Sequence, residues 1–194
     1  MKKIGIFGGS FDPIHHGHLI LAREALETLA LDQVLFVPAA QSPHKPGHAL
    51  ANAAARWQML QAAIACESAF AASRLELDRP APSYSIETIK QLRAETSDAK
   101  FFFLVGEDNL VKLPTWHRFA ELAQLVQFVV LDRTGQVADS PYPTIRRLID
   151  ISATTIRKRV ASGRSVRYLV PEAVEEIIRR QQLYQGPKES NPKS

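Results

Sequence analysis

Four short apolar runs, separated by helical patterns, restrict the fold of this chain more than any other feature. They are "KKIGIFG" (residues 2–8), "DQVLFVP" (32–38), "AKFFFLVG" (99–106) and "VQFVVLD" (126–132). Each is short and nearly continuous rather than alternating, as in a strand covered on both faces. Between them the period turns helical. "GHLILAREALETLA" places Leu19, Ala22, Leu26 and Leu29 on one face, and "AARWQMLQAAIAC" and "IETIKQLRAE" read as further helices. "SRLELD" (73–78) alternates and is expected as a strand, and "TIRRLID" (144–150) as a last one. "EDNLVKLPTWHRFAEL" reads as two short helices broken at Pro114. "SATTIRKRVASG" reads as a helix stopped by Gly163, and "VPEAVEEIIRRQQLY" as the final helix with Pro171 in its first turn.

Strands alternating with helices imply βαβ units. The expected fold is therefore a single α/β domain, a doubly wound, Rossmann-like parallel sheet with helices on both faces. The domain is expected over residues 1–185, followed by a polar, disordered tail at 186–194. With 194 residues and 45% hydrophobic content, the chain can bury a proper core. No apolar run reaches the ~18 residues a membrane helix needs. The lone Cys66 excludes an internal disulfide framework and fits a reducing cytoplasm, where it is expected as a buried helical thiol. Residues 39–50, "AAQSPHKPGHAL", read as an exposed, mobile loop.

In such sheets ligands sit beyond the carboxyl ends of the strands. There, directly after the first strand, stands "GGSFDPIHHGH" (8–18). Gly8 and Gly9 let phosphate oxygens approach backbone amides, and Ser10 adds a hydroxyl. His15 and His18, three apart at a helix start, lie on one side beside the positive end of the helix dipole. Two imidazole donors there suit a phosphorus centre that gains charge during transfer. A zinc site from His15, His16, His18 and His44 lacks the spacing of known zinc motifs. A second basic region, residues 144–168, carries Arg146, Arg147, Arg157, Lys158, Arg159, Arg164 and Arg167 and suits a polyanion. Within it, "ISATTIR" (151–157) offers Ser152, Thr154, helix-start amides and the fork of Arg157 to phosphates.

"GGSFDPIHHGH" resembles the G-[ST]-F-D-P-x-H-x-G-H signature of the nucleotidylyltransferase superfamily, and "ISATTIR" resembles its second signature, I-S-[ST]-T-x-[IV]-R. Three more segments make the chain similar to bacterial nicotinate mononucleotide adenylyltransferases: "SPHKP", "PSYSIET" and "GEDNLVKLPTW". The resemblance implies adenylyl transfer from ATP to nicotinate mononucleotide in NAD biosynthesis, with Mg²⁺ carried on ATP. It implies His15, His18 and Arg157 as catalytic residues. It places ATP at Gly8, Gly9, Ser10, Phe11, His15, His18, Gly106, Asp108, Ser152, Thr154, Ile156 and Arg157. The acceptor falls to Ser10, Lys45, Tyr84, Ser85, Trp116 and Arg133, with Trp116 stacked on the pyridine ring and Tyr84 and Ser85 near its carboxylate.

The departures from the pattern are Ser42, Ser85, Glu87 and Ala153, and none removes a residue the chemistry requires. Two rivals are set aside. Pantetheine-phosphate adenylyltransferase needs neither the tryptophan nor the "PSYS" turn. A non-catalytic nucleotide or RNA binder would not need two ordered phosphate motifs, and aromatic residues are not interleaved among the arginines. No nucleic acid or membrane partner is expected; a homodimer is compatible with the sequence.

Overall fold

The computed structural model describes residues 1–40, 51–80, 82–137 and 139–186. Lys45, with residues 41–50 of the loop expected at 39–50, and the tail beyond Gly186 lie outside them.

Among the described residues the sheet has six parallel strands: β1 (Lys2–Gly9), β2 (Gln33–Pro38), β3 (Phe70–Ala72), β4 (Ala99–Gly106), β5 (Gln127–Asp132) and β6 (Thr144–Arg146). They run in the order β3-β2-β1-β4-β5-β6, so the order reverses between β1 and β4. The four apolar runs form β1, β2, β4 and β5, and their pleat explains their composition. Side chains alternate between two layers. Phe102, Leu104, Val129 and Leu131 enter one, while Phe101, Phe103, Phe128 and Val130 enter the other. A strand that feeds two cores has no polar face to show.

Helices α1 (His16–Thr28), α2 (Ala53–Ile64), α5 (Ala153–Ala161) and α6 (Glu172–Arg180) cover the first layer through Leu21, Ala25, Met59, Leu60, Ile156 and Ile178. Helices α3 (Ser85–Glu95) and α4 (Phe119–Leu125), with a 3₁₀ segment at Glu107–Thr115, cover the second through Ile86, Ile89, Leu113 and Leu122. No described helix is long and apolar enough to cross a membrane. The fold is the expected doubly wound α/β domain.

Several local expectations are corrected. "SRLELD" is a turn rather than a strand. The paired residues lie just before it, Phe70–Ala72 against Val34–Phe36, and Arg74 then closes a turn with Asp78 at 3.1 Å. Its alternation serves two environments instead: Leu75 packs on the second core layer and Glu76 lines a cavity. The helical break falls at Trp116–Arg118, where Arg118 takes a left-handed φ of 54°, while Pro114 sits inside the 3₁₀ segment. Pro171 caps α6 from outside rather than opening its first turn. Cys66 is exposed, because α2 ends at Ile64, which takes the core position instead. Gly163, at φ +68°, stops the α5 chain as expected.

Candidate active site

At the reversal between β1 and β4, a cavity of about 610 Å³ opens over the strand ends. Its size is that of a site for a small organic ligand. Gly8 and Gly9 at the end of β1, Ser10 just after it and Gly106 at the end of β4 line it. A side-chain carbon at Gly9 would come 3.0 Å from the Phe11 ring, so a larger residue there would require that ring to shift.

One end is built from histidines. His15 caps α1 and His18 stands in its first turn, which contains no acidic residue. Their rings stack at 3.7 Å between centroids, and the His15 backbone N–H donates to His18 Nδ1 at 3.3 Å. That bond leaves the proton of a neutral His18 on Nε2. Phe11 packs edge-on against the His18 ring at 5.1 Å. Gly17 makes room for His15, since a side-chain carbon there would fall 3.0 Å from His15 Nδ1. That nitrogen is buried and has no hydrogen-bond partner among the described residues. Burial, helped by Arg133 and His16, pushes the His15 pKa down to about 3. His18 is likewise held well below its ordinary value by burial, His15 and Arg133. The site thus holds two neutral imidazoles.

The start of α5 faces the same cavity. Ser152, Thr154 and Arg157 line it, as do His15 and His18. Ser152 Oγ accepts from Thr155 N at 3.1 Å and so caps the helix. Arg157 donates to the backbone oxygen of Asp12 at 2.7 Å, and Arg133 donates to that of Ile151 at 3.1 Å and to Glu107 at 3.2 Å. The basic stretch is not one patch: Arg146 pairs with Asp132, Arg147 with Glu24, and Arg159 bonds the oxygen of Ser165. Two residues expected at ATP, Phe11 and Ile156, have their side chains buried in the first core layer rather than in the cavity lining, and Phe11 packs against His18 from there.

Aromatic side chains make the other end. Trp116 meets Phe103 edge-on at 5.7 Å, and its buried Nε1 has no partner among the described residues. Tyr84 stacks on His117 at 4.3 Å and caps α3, which starts at Ser85. All of these line the cavity, as do Asp108 and Arg133. Every expected site residue among those described, apart from Phe11 and Ile156, therefore borders one space. Among the described residues no acidic, histidine or cysteine cluster could cage a metal ion.

Sequence reasoning missed Asp12, Glu76, His117, Tyr184 and Arg56. Asp12 is buried and accepts from Ala51 N at 3.1 Å and Tyr184 OH at 2.6 Å. Arg56 is buried in α2, where its guanidinium holds the backbone oxygens of Ser10, Ala39, Ala40 and Ala51 at 2.8–3.2 Å. Its signal was weak: one arginine within the apolar "AARWQML".

Comparison with known proteins agrees with this geometry. Residues 6–159 match the cytidylyltransferase-like family. The chain is 44% identical to a protein of Geobacillus thermodenitrificans, over 95% of this chain and 87% of that one, and 46% identical to one of Thermomicrobium roseum, over 95% and 92%. Both carry the name "Probable nicotinate-nucleotide adenylyltransferase". Among solved structures, the Plasmodium falciparum nicotinic acid mononucleotide adenylyltransferase complexed with NaAD superposes with a TM-score of 0.79. It shares 19% identity and covers 95% of this chain and 98% of its own, a likeness of fold.

Proposed function

We infer, for a chain that belongs to the nicotinate-nucleotide adenylyltransferase family, how its own residues transfer the adenylyl group of ATP to nicotinate mononucleotide. The observation that carries the assignment is one cavity with an imidazole and guanidinium cradle at one end and an aromatic wall at the other. The acceptor's phosphate is already anionic at neutral pH, so no enzyme nucleophile is needed. It attacks the α-phosphorus of ATP in line, the bond to the bridging oxygen breaks, and pyrophosphate departs. The products are nicotinate adenine dinucleotide and pyrophosphate. Catalysis then consists of positioning and charge stabilisation.

His18 Nε2–H and the His15 ring donate to the reacting phosphate, where charge accumulates. Their neutrality suits this role, since a neutral donor near the phosphate gains interaction as charge develops. Ser152, Thr154, the α5 amides and Arg157 hold the β- and γ-phosphates and release them as pyrophosphate. Gly8, Gly9 and Ser10 let the phosphates approach the backbone, and Gly106 and Asp108 border the adenosine. Mg²⁺ would be bound chiefly by the phosphates of ATP and would neutralise part of their charge. Trp116 stacks on the pyridine ring, Tyr84 and Ser85 present the α3 amides to its carboxylate, and Arg133 and Lys45 meet the acceptor phosphate. We place this ATP-consuming step in the cytoplasm.

The test is pyrophosphate release from ATP with nicotinate mononucleotide, nicotinamide mononucleotide or phosphopantetheine as acceptor. The first should turn over best. Preference for phosphopantetheine would overturn the acceptor assignment while leaving the adenylyl transfer.

A further inference from the structure

The aromatic end of the cavity contains a carboxyl group in a place where an acidic acceptor should meet only donors. Glu76 follows β3 on the turn closed by Arg74 and Asp78, and it lines the cavity beside Ser83, Tyr84, Ser85 and Thr88. Thr88 Oγ1 donates to Glu76 Oε1 at 3.0 Å. Arg79 does not bond the carboxyl. It donates to Thr88 Oγ1 and Ser83 Oγ at 3.3 Å each and to Gln91 at 3.1 Å, so its charge reaches Glu76 through a hydroxyl. Among the described residues Oε2 takes no hydrogen bond, and Glu76 forms no ion pair.

We propose that Glu76 is a specificity-determining residue of the acceptor subsite. Neutral, it admits the ring carboxylate of the acid mononucleotide beside the α3 N-terminus. Ionised, it repels that carboxylate and tilts the site toward an uncharged ring substituent. The inference rests on the reading that the pyridine end of the acceptor lies against Tyr84 and Trp116.

The protonation of Glu76 falls where it matters. Burial lifts its pKa to about 7, against the downward pull of the Thr88 hydrogen bond and of Arg79. An incoming ring carboxylate would lift it further, because two like charges would otherwise share one wall. Below about pH 7 the acid therefore binds without penalty; above it, binding demands uptake of a proton. An amide ring makes no such demand. Of the other charged groups near this wall, Glu87 on α3 is engaged with Arg118 at 3.1 Å, while Lys112, Glu107, Asp108 and His117 border the same cavity. His117 stacks on Tyr84 at 4.3 Å on this same wall, so its contribution must be separated from that of Glu76.

The experiment measures kcat/KM for nicotinate and nicotinamide mononucleotide from about pH 6 to about 8.5, and takes their ratio. Both acceptors carry the same phosphate, so its titration and that of the histidine end cancel. In the wild type the acid-to-amide ratio should fall by about tenfold across this range, the scale of one partly screened like-charge pair. Glu76→Gln should hold the ratio flat at its low-pH value, and His117→Asn should retain the wild-type fall. Thr88→Val, which removes a bond to the carboxylate, should move the midpoint of the fall to higher pH and serves if the glutamine variant does not fold. A ratio that still falls in Glu76→Gln, a midpoint unmoved in Thr88→Val, or a fall abolished by His117→Asn would overturn the proposal alone. A wild type that turns over neither mononucleotide would overturn the acceptor reading, and this inference with it.

Discussion

Arg157 donates from Nη1 to the backbone oxygen of Asp12 at 2.7 Å, across 145 positions of sequence. The bond ties the start of α5 to the turn after β1. Asp12 is itself pinned by Tyr184 OH and Ala51 N, and Arg157 also lies 3.8 Å from its Oδ2. Arg157→Lys keeps the charge but loses the planar fork that spans Asp12 and a phosphate at once. Steady-state kinetics with ATP varied should show kcat/KM lower by about 2–3 kcal/mol of transition-state binding, roughly 30- to 150-fold. A lysine variant within twofold of wild type would show that the fork is dispensable.

His18 has one free donor, Nε2–H, because its Nδ1 accepts from the His15 backbone. His18→Ala should therefore lose about 2–4 kcal/mol of transition-state stabilisation, read as a fall in kcat. Circular dichroism should show the variant still folded. A folded variant with near-normal kcat would remove His18 from the chemistry.

Trp116 is held edge-on to Phe103, which leaves its face available to the cavity. Trp116→Ala should raise KM for the acceptor by about tenfold or more, since stacking of a flat base on an aromatic ring is worth about 1–3 kcal/mol. The KM for ATP should change far less. Equal effects on both substrates would argue against ring stacking.

His15 sets a pH dependence of stability. Its folded pKa, about 3, lies below the ordinary 6.5. Between these values the unfolded chain binds the extra proton, so stability is complete above about pH 6.5 and drains away as pH falls toward 3. At about pH 5 the loss is on the order of 2 kcal/mol, or about 4–8 °C in Tm for a chain of this size. Thermal melts from pH 7.5 to 5 should show it, and His15→Gln should show a correspondingly shallower decline. Parallel curves for the two proteins would mean that His15 is not buried in its neutral form.

Much of this site could be read from the chain because its parts are local. Gly8, Gly9, His15 and His18 act through one strand end and one helix start, and Ser152, Thr154 and Arg157 through another. Spacing along a helix determines which side chains share a side, whatever the rest of the molecule does. Phe11 and Ile156 show where that legibility stops. They stand inside the motifs, yet they pack into the core behind the residues that face the cavity.

What the sequence determined by itself was the layer order: continuous apolar strands must be covered on both faces, and helices must alternate with them to do so. It also determined the two donor-rich ends, at the start of α1 and the start of α5, since each is a short-range arrangement. Only the tertiary structure decided that Arg56 would hold four backbone oxygens from inside α2, that Tyr184 would reach Asp12, and that Glu76 would line the cavity beside Thr88. Those partners are distant in sequence, and a polar side chain becomes committed to one of them only when packing has excluded water from both.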